Sequence, residues 1–436
     1  MIGAGMAGLT ALAALKHLGV QARGFDRSSQ GLEGPWATTA RMETLRSPKH
    51  LTGPALGLPA LTFRAWFEAQ FGLAAWSALD KIPRLMWMDY LRWYRKLLDL
   101  DVLNDHEVLR IEPHADGLIE LEMKSPDGQR TLLARRLVLA TGRDGLGGIA
   151  VPDLATTLPR HRWAHSSDAM DYGAIEGLAV GVVGAGASAM DSAASALEAG
   201  AKSVDLLIRR TDLPRINKSK GALNPGLTHG HWLLSDEWKW RLRHYINMQQ
   251  VPPPRGSTQR VSRHPNARFH LGCPVLDARE SDDGLIVATP KGDFHFDFLI
   301  FSTGFNVDLD KRPELASFAP QIRMWRDRFD SPGGVRDPEL SDSPDLGPAF
   351  EFQEKTPGAC PGLSRIHAFC YPATLSHGAI SGDIPSISEG AERLAQGIAA
   401  LLYREDVGAH FEALKAYAEP ELLGDEWTEW ASGPTA

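Results

Sequence analysis

The sequence predicts an α/β protein with two Rossmann-like dinucleotide-binding domains, one inserted in the other, and three observations carry that prediction. Two glycine-rich turns, Gly3-Ala4-Gly5-Met6-Ala7-Gly8 and Gly184-Ala185-Gly186-Ala187-Ser188-Ala189, each run into a segment of helical character. Each segment leads to a short apolar stretch that ends in charge, Asp26 in the first copy and Arg209-Arg210 in the second. Each copy then closes on an apolar strand ending in Thr-Gly, at Thr141-Gly142 and at Thr303-Gly304.

In the first copy, residues 9–18 form the helix, Gly19 stops it, and residues 20–25 form the strand before Asp26. Glycines allow a tight turn and close backbone approach to a pyrophosphate, which rests on the positive end of the following helix. An acidic residue about 20 positions later receives the adenosine ribose hydroxyls, and Asp26 stands 18 residues after Gly8. In the second copy the strand is 179–183, the helix 190–198 with its stop at Gly200, and the next strand 204–208. Guanidinium forks match a phosphate bidentately, so Arg209-Arg210 predicts the 2'-phosphate of NADP over NAD. A hairpin precedes each Thr-Gly strand: 118–123 with Asp127-Gly128, and 285–288 with Lys291-Gly292. One fingerprint alone fits a coincidental turn, whereas two with their strands and end residues in register do not.

Composition bounds the class. The chain has 436 residues, enough for about three domains or two large ones. Hydrophobic residues are 43% and charged residues 23%, ordinary globular usage, which excludes a disordered tail or a collagen-like fibre. Lys plus Arg total 46 against 54 Asp plus Glu, for a net charge of -8, and no long basic run exists. Nucleic acid is therefore not expected as a partner. The 3 cysteines include no short pair, which argues against a disulfide scaffold, a zinc knuckle or a thiol redox couple, and no metal site is expected. No apolar stretch of about 18 residues predicts a membrane span. Residues 1–20 are apolar like a secretory signal but lack a basic leading segment, so a cytoplasmic protein is expected. A Rossmann module needs a strand of about five residues before its first glycine, yet only Met1-Ile2 precedes Gly3. The expectation is a miscalled or trimmed start, with the true start several codons upstream.

On these residues the chain resembles the flavoproteins with two dinucleotide-binding domains, and more narrowly the flavin-containing monooxygenase and CzcO-like family. Gly34-Pro35-Trp36 stands where that family carries Gly-Gly-x-Trp, Thr44 to Lys49 resembles the stretch passing the flavin ring, and Asp297 to Phe305 resembles the second Thr-Gly motif. The resemblance implies that Gly3, Gly5, Gly8 and Asp26, with Trp36, Thr141 and Gly142, hold FAD. It implies that Gly184, Gly186, Ala189, Arg209 and Arg210, with Thr303 and Gly304, hold NADPH. The NADPH domain, 158–305 with an insertion at about 213–266, would interrupt an FAD domain made of 1–157 and 306–436, the latter with a C-terminal tail. Near Pro385, at the start of a helix reaching Leu402, Asp383 would either contact the flavin's ribityl chain or satisfy the helix terminus. His165 aligns with the histidine of the family's linker motif, with Pro159, His161 and Ala169 replacing its Phe, Gly and Trp. That makes His165 the catalytic candidate, against an ordinary polar residue on an interdomain loop, and puts strict Baeyer–Villiger chemistry in doubt.

Relatives that reduce disulfides need two sulfurs beside the flavin. Cys360 and Cys370 are ten apart and read as core or loop cysteines, which leaves molecular oxygen (O2) or an external acceptor. The resemblance implies a monooxygenase: NADPH reduces FAD, a C4a-(hydro)peroxyflavin forms, and one oxygen atom enters a small organic substrate by N- or S-oxygenation. The alternatives are a flavin oxidoreductase feeding a quinone or protein acceptor, and a degenerate FAD-binding redox sensor or scaffold. Substrate specificity is expected in the insertion, whose Trp232, Trp238, Trp240, Arg241, Arg243 and Tyr245 suit an aromatic or anionic ligand, although Trp238, Arg241 and Tyr245 also fit a packed helix face. A homodimer is left open.

Overall fold

The computed structural model describes residues 1–335 and 337–430. Two separate parallel sheets carry the two glycine turns. In the first, Gly24–Phe25 pairs in parallel with Val102–Leu103, and Leu137–Leu139 pairs in parallel with Ile366–Ala368. Ile2 lies between the two pairs, bridging Phe25 on one side and Leu139 on the other. Residues 1 and 2 thus hold the central position of this sheet: Ile2 N–H donates to Val138 O and Phe25 N–H to Met1 O, at 2.8 and 2.9 Å. The strand expected over 20–25 is only Gly24–Phe25, the two residues that pair with Val102–Leu103. The buried amine of Met1 donates to Arg23 O, and burial pushes its pKa down to about 5.

The second sheet is five-stranded and wholly parallel, in the spatial order Ala267–Leu271, Ser203–Ile208, Ala179–Val183, Phe298–Phe301, Trp163–His165. Its middle strands are mostly apolar on both faces: helices Ala187–Glu198 and Arg255–Ser262 cover one face, and antiparallel strands carrying Leu285, Val287 and Phe296 pack on the other. Each sheet has an antiparallel three-stranded companion, Glu107–Pro113 with Ile119–Ser125 and Gly128–Ala134, and Asp277–Ser281 with Gly284–Thr289 and Gly292–Phe296. The two chain crossings between the units run side by side, Gly147–Ile149 antiparallel to Phe305–Val307.

The fingerprint helices are Met6–His17 and Ala187–Glu198, and alanine-rich buried faces let both lie close on their sheets. Helix Ile387–Glu405 packs on Met6–His17. Residues Trp87, Tyr90, Leu91 and Tyr94 of helix Arg84–Leu97 follow the spacing of one helical face and are all buried, with Phe63 5.9 Å from the Trp87 ring. The insertion is mostly helical, with Asp236–Gln249 and Arg255–Ser262 its longest pieces.

Candidate active site

The two turns are shaped by close backbone packing. A Cβ on Gly8 would meet the Gly3 carbonyl oxygen at 2.0 Å, and one on Gly3, at φ +92°, would meet the Ala140 carbonyl oxygen at 2.5 Å. Gly5 is different: its nearest neighbour is Gly34 Cα at 3.7 Å, so two glycines leave an open groove above the helix start. In the second turn Gly184 is packed against Ser302, whereas Gly186 faces open space at the N-cap of its helix with no side chain capping it. Ala189, standing where the fingerprint has its third glycine, is fully buried. Uncapped helix N–H groups beside a glycine turn suit an anionic pyrophosphate, so both turns fit dinucleotides.

The strand-end residues are placed at the turns. Asp26 Oδ2 accepts from Ala4 N–H and Oδ1 from Ser28 N–H, both at 2.8 Å. Each oxygen keeps a second lone pair for a ribose hydroxyl. Arg210 is half-buried and Arg209 exposed, and neither has a carboxylate partner among the described residues. The Thr-Gly pairs join strand ends to neighbouring segments. Gly142 O accepts from Tyr371 N–H at 3.1 Å, Thr141 Oγ1 donates to Gly145 O at 3.2 Å, and Thr303 Oγ1 donates to Ala150 O beside the crossing strands. Gly142 and Gly304 sit at φ +86° and +85° with no atom near a would-be Cβ.

Trp36 packs edge-on against Trp87 at 6.5 Å, and its carbonyl accepts from Arg84. Asp383 is exposed and stands at the N-cap of the 3-10 turn Ile384–Ser386, which leads into helix Ile387–Glu405, and its side chain makes no cap hydrogen bond there. Crowding by surrounding protein pushes its carboxyl up, while Arg243, Arg143 and Arg46 pull it down. Arg143 also lies over the Tyr371 ring at 4.2 Å. On helix Asp236–Gln249, Arg243 Nε and Asn247 Nδ2 are buried donors without a partner among the described residues, one helical turn apart. Asn247 escapes sequence reasoning because a lone amide on a helix carries no pattern.

His165 is not on a loop. It ends the edge strand Trp163–His165 at 1% exposure, so it opens on no cleft. Ser167 holds its Nδ1, through Oγ at 2.7 Å and N–H at 3.2 Å, and Nε2 is buried without a hydrogen-bond partner among the described residues. Burial pushes its pKa down, against the pull of Asp168 and the Gly304 backbone. The ring lies edge-on to Phe305 at 5.8 Å.

Within the insertion, Trp238 and Tyr245 are exposed and Arg241 lies over the Trp238 ring at 4.8 Å, while Trp240 is buried against Phe329. Arg260, also in the insertion, is a buried residue of helix Arg255–Ser262. It donates to Glu198 at 2.6 and 3.1 Å and to Arg41 O at 3.1 Å. Beside it Asp191 Oδ1 is buried without a hydrogen bond, and burial raises the Asp191 carboxyl. The three cysteines are free, and burial pushes the Cys370 thiol up to about 12, far from a reactive thiolate. A cavity of about 720 Å³ lined by Arg312 and Lys355 lies off both turns, and its cations are paired with Glu314 and Asp327. Among the described residues no cluster could hold a metal ion, and no helix is long and apolar enough to cross a membrane.

Comparison with known proteins fits this geometry. Residues 70–250 match the family model for L-lysine 6-monooxygenase/L-ornithine 5-monooxygenase. The structure of ornithine hydroxylase from Pseudomonas aeruginosa superposes with a TM-score of 0.71 at 18% identity, covering 91% of this chain and 97% of that one. An ornithine N-hydroxylase from Kutzneria sp. 744, solved with reduced FAD, NADP+ and L-ornithine, gives 0.69 at 18% identity over 92% and 98%. Both share the architecture of two dinucleotide-binding domains. The FAD-dependent urate hydroxylase of Xanthomonas campestris pv. campestris is 41% identical over 434 residues, 98% of this chain and 90% of that protein. At that identity and coverage, the chain belongs to the flavoprotein monooxygenase family that includes this FAD-dependent hydroxylase.

Proposed function

We propose that the protein is an NADPH-dependent FAD monooxygenase acting on a planar, anionic nitrogen heterocycle of the urate class. The observation that supports this most is the pair of donors left without a partner among the described residues, Arg243 Nε and Asn247 Nδ2, on the helix whose Arg243 acts with Arg143 and Arg46 on the Asp383 carboxyl. Buried donors without partners are costly, and a ring bearing carbonyl and imide groups would satisfy both. The 41% identity to a urate hydroxylase points the same way.

In this reading FAD lies along Gly3, Gly5 and Gly8, with Asp26 on its ribose and Trp36, Thr141 and Gly142 beside it. NADPH lies along Gly184, Gly186 and Ala189, with Arg209 and Arg210 on the 2'-phosphate and Thr303-Gly304 at the shared edge. Bound there, FAD supplies hydride acceptance and oxygen activation. The chain's own residues do the rest. The uncapped starts of Met6–His17 and Ala187–Glu198 hold the two pyrophosphates. Arg243 and Asn247 fix the substrate's orientation, and Asp383 anchors the flavin's sugar-alcohol chain. His165, neutral and enclosed, positions the chain between the two units; it does not transfer a proton to substrate. The domains run as 1–157 plus 306–436 around 158–305. The protein works in the cytoplasm. It self-associates through helix Val407–Ala416, which has no buried residue and exposes Phe411 and Leu414; light scattering on the purified chain checks this.

The test is anaerobic reduction with NADPH against NADH, followed by oxygen with urate, L-ornithine or no substrate. Oxygenated product with urate, at one per NADPH, is expected. Hydrogen peroxide as the sole product with every substrate would replace this reading with a plain flavin reductase.

A further inference from the structure

At the seam between the two units lies a cleft of about 490 Å³, within the range of small-molecule sites. Arg41, Met42, Glu43, Pro83, Arg84 and Leu85 of the first unit line one side, and Tyr172, Ser195, Glu198 and Arg260 line the other. Its charges are unevenly matched. Glu198 is saturated by Arg260, at 2.6 and 3.1 Å, and by Arg263 at 2.8 Å outside the lining. Glu43 is exposed and stands 3.5 Å from Arg260. Among the described residues Arg41 and Arg84 have neutral partners only. Arg41 donates to Thr38 O at 3.0 Å and to Met170 O at 3.4 Å and lies over the Tyr172 ring, while Arg84 donates to Trp36 O at 2.5 Å. The Arg84 guanidinium is pushed below its ordinary pKa, first by burial and then by Arg41 and Arg260. Guanidinium groups that share a cleft without a carboxylate of their own are stabilised by an anion between them.

We propose that this seam cleft binds a small aromatic carboxylate anion, held by the guanidinium groups of Arg41 and Arg84 with its ring against Tyr172. Planar guanidinium forks suit a carboxylate bidentately, and Met42, Pro83 and Leu85 supply the apolar walls that a ring needs. The cleft is separate from the second glycine turn. Ser195 and Glu198 lie nine and twelve residues beyond Gly186, about 13–18 Å along the helix at 1.5 Å per residue. The inference goes beyond the monooxygenase reading and stands without it. An occupant touches residues of both units, so it would tie their relative placement.

Phthalate is the probe, with phthalamide as its neutral counterpart and chloride at matched ionic strength. Thermal unfolding of the full FAD-loaded chain should show a saturable rise with phthalate, unchanged by saturating NADP+. The midpoint should move at least tenfold in R41Q/R84Q. Leu85→Glu, at a residue already exposed, adds an opposing charge at the mouth and should weaken phthalate severalfold even if the double variant does not fold. An equal response to phthalamide or chloride, an unshifted midpoint in L85E, or displacement by NADP+ would each overturn the proposal.

Discussion

Asp26 Oδ2 accepts a hydrogen bond from Ala4 N–H at 2.8 Å, latching the strand end to the first glycine turn. Its other oxygen takes Ser28 N–H. Asp26→Ala would orphan two backbone donors, each costing roughly 1–3 kcal/mol if buried, and should leave the purified chain largely free of FAD. Asp26→Asn keeps one acceptor and should retain part of the flavin. Absorbance at the flavin band against protein concentration reads both.

The two kinds of glycine should separate in mutation. A Cβ on Gly8 meets backbone at 2.0 Å, and the turn cannot absorb it cheaply. Gly8→Ala should lose roughly 1–3 kcal/mol of stability, the usual overpacking range. Gly186 has no atom within 4 Å of its Cβ position. Gly186→Ala should therefore melt like the parent yet raise the KM for NADPH, because only a bound pyrophosphate would meet the added methyl.

Arg209 and Arg210 have no carboxylate partner among the described residues. Charge-assisted hydrogen bonds are worth about 1.5–3 kcal/mol each, so R209Q/R210Q should raise the KM for NADPH at least tenfold. The KM for NADH should move little, since NADH has no 2'-phosphate. Steady-state kinetics with both nucleotides tests this, and equal losses would remove the two arginines from the nucleotide site.

Buried histidines set the acid limb of stability. Burial pushes His367 down to about 4 and His377 to about 3. The folded state keeps both neutral while the unfolded chain protonates them near 6.5. Stability is thus full above pH 6.5 and falls as pH drops toward 4, by up to about 3 kcal/mol per histidine. Asp191 and Glu351, whose carboxyls are raised by burial, act in the opposite sense near their own lower range. Urea midpoints at pH 7.5, 6.5 and 5.5 should decline in that order, and His367→Gln should flatten the decline.

Much of the fold was written locally. The glycine turns, the Asp26 and Arg209-Arg210 strand ends and both Thr-Gly pairs occur in short segments whose turn chemistry can be read residue by residue. The length of the strand before Asp26 could not be read, because its partners Ile2 and Val102–Leu103 decide it. The seam was hidden for a related reason. Arg260 and the Arg41 carbonyl are 219 residues apart in sequence, and nothing near either announces the other. His165 was legible as a motif residue, but its 1% exposure comes from the sheet edge and from Phe305, which only the fold brings to it.

The central claim is that electrons from NADPH carry one oxygen atom into a urate-class substrate oriented by Arg243 and Asn247. Its most direct test measures NADPH consumed, product formed and hydrogen peroxide released, for the parent and for R243Q/N247A. The account predicts a one-to-one ratio of product to NADPH in the parent. In the double variant NADPH oxidation should continue with most electrons lost to peroxide and a raised KM for urate. An unchanged product ratio in R243Q/N247A, or no oxygenated product from the parent, would contradict it.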